Sequence, residues 1–240
     1  MLLLAVGNVS LADVVRVAVA SNFNEALHAV SQTFEQQTGH ELLVSSASTG
    51  KLYAQIKHGA PFDVFMSADT ATAERLVSEG LAHADSLQAY ALGQLVLLSN
   101  HNKQPCEQVL TEPNLRYFAI ANPNTAPYGL AARQVLQKLQ LWHLLEPKLV
   151  MGENIAQTMQ FVYSQNADAG LVARSLIVNR EIPENQCVWV VPETHYQPIK
   201  QSLVVLNAAS DKPAVQQLMA FLAQADVRKL ISDFGYAQPQ

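Results

Sequence analysis

The chain has 240 residues, of which 49% are hydrophobic and 15% charged, and its formal net charge is −5. That length suits one large domain or two small ones, and so apolar a composition excludes a disordered chain. The acidic balance, with no Lys/Arg cluster, argues against nucleic acid as a partner, and past the N-terminus no stretch approaches the ~20 apolar residues of a membrane span.

Met1 to Ala12 is short and apolar, and small residues at Ser10 and Ala12 fit a secretory cleavage site before Asp13, although the first basic residue is Arg16. Residues 1–12 are therefore expected to be a signal-peptide remnant and the protein to be exported; with no Cys after Ala12, a lipid anchor there is not indicated. Val14 to Ala20 is a β-branched, apolar run that predicts a buried strand. Phe23, Ala26, Leu27, Val30 and Phe34 then recur at helical spacing, with Asn22 and Glu25 as a capping-box-like start and Gly39 as a stop. Glu41 to Ser46 predicts a strand, Gly50 to His58 a short helix, Asp63 to Ser67 a strand and Thr70 to Glu79 a helix. Tyr90 to Ser99 is a longer apolar run and a candidate crossover, and the polar stretch Asn100 to Pro113 reads as surface structure.

A second alternation follows. Tyr117 to Ala121, Lys148 to Met151, Ala169 to Val172 and Val188 to Val191 predict strands, and Gly129 to Leu139 and Ile155 to Gln165 predict helices between them. Ser202 to Leu206 is a late apolar strand and a candidate return crossover, and Pro213 to Ala223 and Val227 to Phe234 close the chain as helices. Strand–helix alternation of this kind implies an α/β fold with mainly parallel sheets flanked by helices. Two blocks joined by two crossovers, near 95–100 and 202–207, imply two lobes: 13–97 plus 207–240, and 98–206. Ligands of open α/β sheets bind in a cleft beyond the carboxyl ends of the strands.

Ser21-Asn22, Ser48-Thr49-Gly50, Pro127-Tyr128-Gly129 and Asn154-Ile155 each follow a predicted strand and open a predicted helix. Such turns present free N–H groups and the positive end of a helix dipole, which is chemistry for holding an anion. Taken singly, each reads as an ordinary cap, turn or core position. Catalytic motifs are missing. Ser48-Thr49-Gly50-Lys51 matches S-x-x-K of penicillin-recognising serine enzymes, but the companion K-T-G and S-D-N elements do not occur. Leu52 stands where a phosphate loop needs Ser or Thr, and the seven His show no metal-ligand spacing. Cys106 and Cys187 lie in no C-x-x-C pattern; two inert thiols are the default reading, and an oxidising compartment leaves pairing open.

The chain resembles the periplasmic molybdate-binding proteins of ABC importers, members of the two-lobed type II solute-binding superfamily. The resemblance runs from about Val14 to Tyr236, carried by Ala20-Ser21-Asn22-Phe23, the stretch from Ala47 to Ile56, the stretch from Gly59 to Asp69, Asn122-Pro123 with Ala126-Pro127-Tyr128-Gly129, and Gly152-Glu153-Asn154-Ile155. It implies that the oxyanion, molybdate or tungstate, is held by the hydroxyl and amide of Ser21, the amide of Asn22, Thr49 with Ser48 beside it, and the amides of Tyr128 and Ile155. Molybdenum would be held through its oxo groups, with no direct metal ligand and no cofactor. Some members also use a Tyr hydroxyl after a Gly-Ile-Val-like strand; this chain has Gly170-Leu171-Val172-Ala173 and lacks it. The resemblance further implies a periplasmic, non-enzymatic monomer that delivers its ligand to an ABC permease. The rival readings are a same-fold binder of another oxyanion such as sulfate or phosphate, a serine-dependent enzyme, and the effector lobe of a transcription regulator.

Overall fold

The computed structural model of the protein describes residues 12–102 and 104–239, so the expected signal remnant lies, Ala12 apart, outside the described residues. The chain runs β1 (Val14–Ala20), α1 (Asn24–Thr38), β2 (Glu41–Ala47), α2 (Thr49–Lys57), β3 (Val64–Ser67), α3 (Thr70–Ser78) and β4 (Gln88–Gly93). It continues through β5 (Leu95–Ser99), β6 (Phe118–Ala121), α4 (Pro127–Lys138), α5 (Trp142–Leu145), β7 (Leu149–Gly152), α6 (Ile155–Tyr163), β8 (Ala169–Ala173) and β9 (Cys187–Val190). It ends with β10 (Ile199–Val205), α7 (Pro213–Leu222) and α8 (Ala225–Asp233).

These strands form two five-stranded sheets, ordered β2-β1-β3-β10-β4 and β7-β6-β8-β5-β9. In each sheet four strands point one way and one, β10 or β5, runs against them. Those two reversed strands are the first elements after each crossing between the sheets. The sheet membership shifts the lobe boundaries from the expected positions: β5 belongs to the second sheet and β10 to the first. The apolar run Tyr90 to Ser99 is therefore two strands, one in each sheet, parted at Gln94, and the return passes through residues 191–198. Hydropathy could not locate the break because β4 and β5 are apolar on both sides of it.

Local chemistry explains the elements. Helix α1 buries Ala26, Leu27, Val30 and Phe34 on one face; each large side chain so buried contributes about 1.5–3 kcal/mol. Gly39 ends the helix at φ 75°, where its N–H donates to the Glu35 carbonyl at 2.8 Å, a left-handed cap that only glycine adopts without strain. The capping role expected of Asn22 is not observed: a 3₁₀ turn, Ser21–Phe23, precedes α1, and the Asn22 side chain is turned inward to two buried partners. Part of the stretch expected at the surface is also buried. Cys106, Val109 and Leu110 lie in the core of the second lobe, and Cys106 is bonded to Cys187 with a Cα–Cα separation of 5.7 Å. The default of two inert thiols fails because the fold brings the 3₁₀ segment Cys106–Thr111 against β9, a contact between residues 81 apart in sequence.

Candidate functional site

Strand register sets the turns side by side. Ala20, the last residue of β1, pairs with Ala47, the last of β2, so Ser21 and Ser48 leave the first sheet together. In the second sheet Ala121 pairs with Gly152, so the segments leading to Tyr128 and Ile155 leave that sheet together. All four turns lie at carboxyl ends of parallel strands, and the two pairs face each other across the lobe contact. The Gly50 N–H donates to the Thr125 carbonyl at 2.9 Å, Lys51 Nζ lies 2.6 Å from Glu153 Oε2, and α6 packs on the Ser21–Phe23 turn. A Cβ on Gly50 would stand 3.1 Å from the Thr125 Cα, so the small residue lets the two backbones meet.

The six residues singled out by the sequence are all buried: Ser21, Asn22, Ser48, Thr49, Tyr128 and Ile155. Their available donors differ. Ser48 is the N-cap of α2, but its side chain caps nothing, and its Oγ is buried without a hydrogen-bond partner. An orphaned buried hydroxyl costs about 1–3 kcal/mol unless something else pairs with it. Thr49 Oγ1 accepts from the Ala68 N–H at 3.1 Å, which leaves its proton free to donate. Asn22 has only its backbone amide to offer, because Nδ2 donates to Gln201 Oε1 at 2.7 Å and to the Tyr236 hydroxyl at 3.0 Å. Tyr128 follows Pro127 at the start of α4, and no side chain caps that turn. At α6 the Asn154 side chain accepts from the Gln157 N–H at 3.0 Å, and the first-turn amide of Ile155 has no acceptor within its own helix.

The arrangement is a set of neutral donors contributed by two lobes. Lys51, the cation nearest these turns in sequence, is paired with Glu153. Four helix N-termini, each with an effective charge of about +0.5, sum to roughly the charge of a dianion. Among the described residues no group of three or more His, Cys, Asp and Glu could hold a metal ion.

Several residues behind the turns escaped the sequence reading. Gln201 on β10 accepts from Asn22 and, at 3.1 Å, from the Tyr90 hydroxyl. Tyr236 donates to the Asn22 carbonyl at 2.7 Å, and Ser175, just past β8, donates to that same carbonyl at 3.1 Å. Where the sequence showed only the lack of a Tyr hydroxyl after β8, the structure shows a serine bracing the first turn from the other lobe. Burial pushes the phenols of Tyr90, Tyr128 and Tyr236 well above their ordinary range, so all three stay neutral. No periodicity could signal these contacts, since 179 residues separate Asn22 from Gln201 and 214 separate it from Tyr236.

Comparison with known proteins gives a consistent picture. The family model described as "Bacterial extracellular solute-binding protein" matches residues 15–237. The molybdate-binding protein ModA of Azotobacter vinelandii is 42% identical over 224 residues, 92% of this chain and 89% of that protein. ModA of Rhodobacter capsulatus is 38% identical over 220 residues, covering 91% and 86%. The solved Azotobacter vinelandii periplasmic molybdate-binding protein superposes with a TM-score of 0.88 at 36% identity, covering 94% of this chain and all of that one.

Proposed function

The chain belongs to the bacterial extracellular solute-binding protein family, and on that premise we propose that it captures molybdate, and tungstate equally, between its two lobes for delivery to an ABC importer. It is a binding protein; its work is capture and release, with no bond made or broken. We assign the ligand contacts to the hydroxyl and amide of Ser21, the amide of Asn22, the hydroxyls of Ser48 and Thr49, and the amides of Tyr128 and Ile155. We further assign it to the periplasm as a monomer that presents its closed form to a membrane permease. Among the described residues no helix is long and apolar enough to cross a membrane.

The observation that carries the site assignment is the buried, unpartnered Ser48 hydroxyl at the uncapped N-terminus of α2, beside the lobe contact. A tetrahedral dianion is only an acceptor, and a site made only of donors suits it. Monohydrogen phosphate carries a proton that would face another donor with no acceptor, which disfavours it. Sulfate has the same charge and shape but is smaller, so cavity size decides between them. The first lobe docks the anion, the lobes turn about Gln94 and residues 191–198, and the second lobe adds its amides as water leaves. Calorimetric titration with molybdate, tungstate, sulfate and phosphate at equal ionic strength tests the reading. Heat from molybdate and tungstate with sulfate and phosphate silent is the expected result; a preference for sulfate or phosphate, or silence from all four, would overturn it.

A further inference from the structure

Tyr128 joins two places in the molecule. Its amide lies at the uncapped start of α4, and its ring is fully buried at the pivot between the lobes. A Cβ built on Gly93 would stand 2.1 Å from the Tyr128 hydroxyl oxygen, 2.9 Å from its Cζ and 3.0 Å from Gln201 Nε2. Gly93 is the last residue of β4, one residue before the chain crosses at Gln94. Its φ is not in the left-handed region, so what the glycine supplies there is space. The phenol of the second lobe occupies the volume that any other side chain on the first lobe would fill.

The polar groups in this socket are incompletely paired. Gln201 Oε1 is committed to Asn22 and Tyr90, while Gln201 Nε2 and the Tyr128 hydroxyl are buried with only a poorly aligned contact to each other. On the proposed opening of the lobes the Tyr128 ring leaves the socket and both groups meet water. We infer that Gly93, Tyr128 and Gln201 form a closure socket that admits the tyrosine only because residue 93 lacks a Cβ, and whose poorly paired donors hold the empty protein open. Closure then depends on the anion, whose contacts offset the cost of burying the pair. Gly93 and Gln201 act as positioning residues, since neither is assigned to the ligand. The inference rests on the oxyanion reading only for what the closed lobes enclose.

The signs of three substitutions follow. Tyr128→Phe removes the poorly paired hydroxyl, so the closed form is more populated and the apparent affinity for molybdate rises roughly fivefold or more. Gly93→Ala fills the socket and lowers the affinity at least about tenfold. In a Tyr128→Ala background the same Gly93→Ala change costs less than about twofold, because the clash has lost its partner. Spin labels at Ser78→Cys and Leu144→Cys, exposed positions on α3 and α5, report the interlobe distance in the empty protein by pulsed electron resonance, and both native cysteines are already bonded. The label distance in the empty protein should shorten in Tyr128→Phe and not in Gly93→Ala. If the unsubstituted protein fails to bind molybdate, the oxyanion reading falls while these ligand-free distances still test the socket. Unchanged affinity and distance in Gly93→Ala, or an equal loss in both backgrounds, would overturn the inference. Should Gly93→Ala not fold, an unchanged distance in Tyr128→Phe overturns it alone.

Discussion

The two lobes are built on one plan and equipped differently. Both sheets follow the same order, with one reversed strand before the last position, and both present strand-to-helix turns to the contact. On the proposed assignment the first lobe brings side-chain hydroxyls, those of Ser21, Ser48 and Thr49, together with amides. The second would bring the amides of Tyr128 and Ile155; the Ile155 side chain packs in its core, and the Tyr128 ring is buried at the pivot. The second lobe also carries the disulfide. Lobes of one strand order can therefore carry different side chains at their common contact.

That contrast can be broken at graded cost. Thr49→Trp puts an indole among the first-lobe donors, and molybdate binding should vanish in calorimetry while the fold persists. Retained affinity would move the site elsewhere. Removing the disulfide with Cys106→Ser and Cys187→Ser closes no loop between residues 81 apart and should cost about 2–5 kcal/mol. The loss should be concentrated in the second lobe, measured by hydrogen exchange in β5 and β9 against β1 and β3; uniform loss would deny the lobes separate stability. Ile155→Pro deletes a single N–H at the first helical position of α6, which proline tolerates, and the preceding Asn154 is already extended at φ −148° and ψ 174°. Binding should weaken roughly ten- to hundredfold, as for loss of a hydrogen bond to a charged group, whereas Ile155→Ala should change it by less than about threefold.

The smallest effect concerns Asp168 in the second lobe. Burial pushes its carboxyl up, but the backbone amides of Tyr117 and Arg116, with the Arg116 charge, outweigh burial and hold its pKa below the ordinary carboxylate value. A depressed folded-state pKa contributes stability above the unfolded value that is lost as pH falls through the folded one. Thermal melts of Asp168→Asn should therefore lie below those of the unsubstituted protein at neutral pH and converge with them in acid below about pH 4. A constant gap across that range would remove the carboxylate from the account.

Much of this was legible in the sequence. Helices with a one-sided apolar face and a glycine stop, such as α1 with Gly39, declare themselves because period and cap agree. The order of strands and helices followed from alternation, and the polar turns stood out as breaks between apolar runs. What was not legible depends on contacts distant along the chain. The break at Gln94 lies inside an apolar run, Cys106 meets Cys187 only when the second sheet forms, and the Asn22 side chain found Gln201 and Tyr236 in place of its own helix. Gly93 in the sequence is an unremarked glycine near a strand end; its meaning appears only once Tyr128 occupies the missing side chain's space.

Uncharged donors from both lobes are proposed to hold a doubly charged oxyanion. A crystal of the molybdate complex, with anomalous diffraction collected at the molybdenum edge, would decide the matter. One strong peak is expected between the Ser21 and Ser48-Thr49 turns on one side and the first turns of α4 and α6 on the other, with no lysine or arginine in contact. A peak seated against basic side chains, or one touching only a single lobe in a closed molecule, would contradict it.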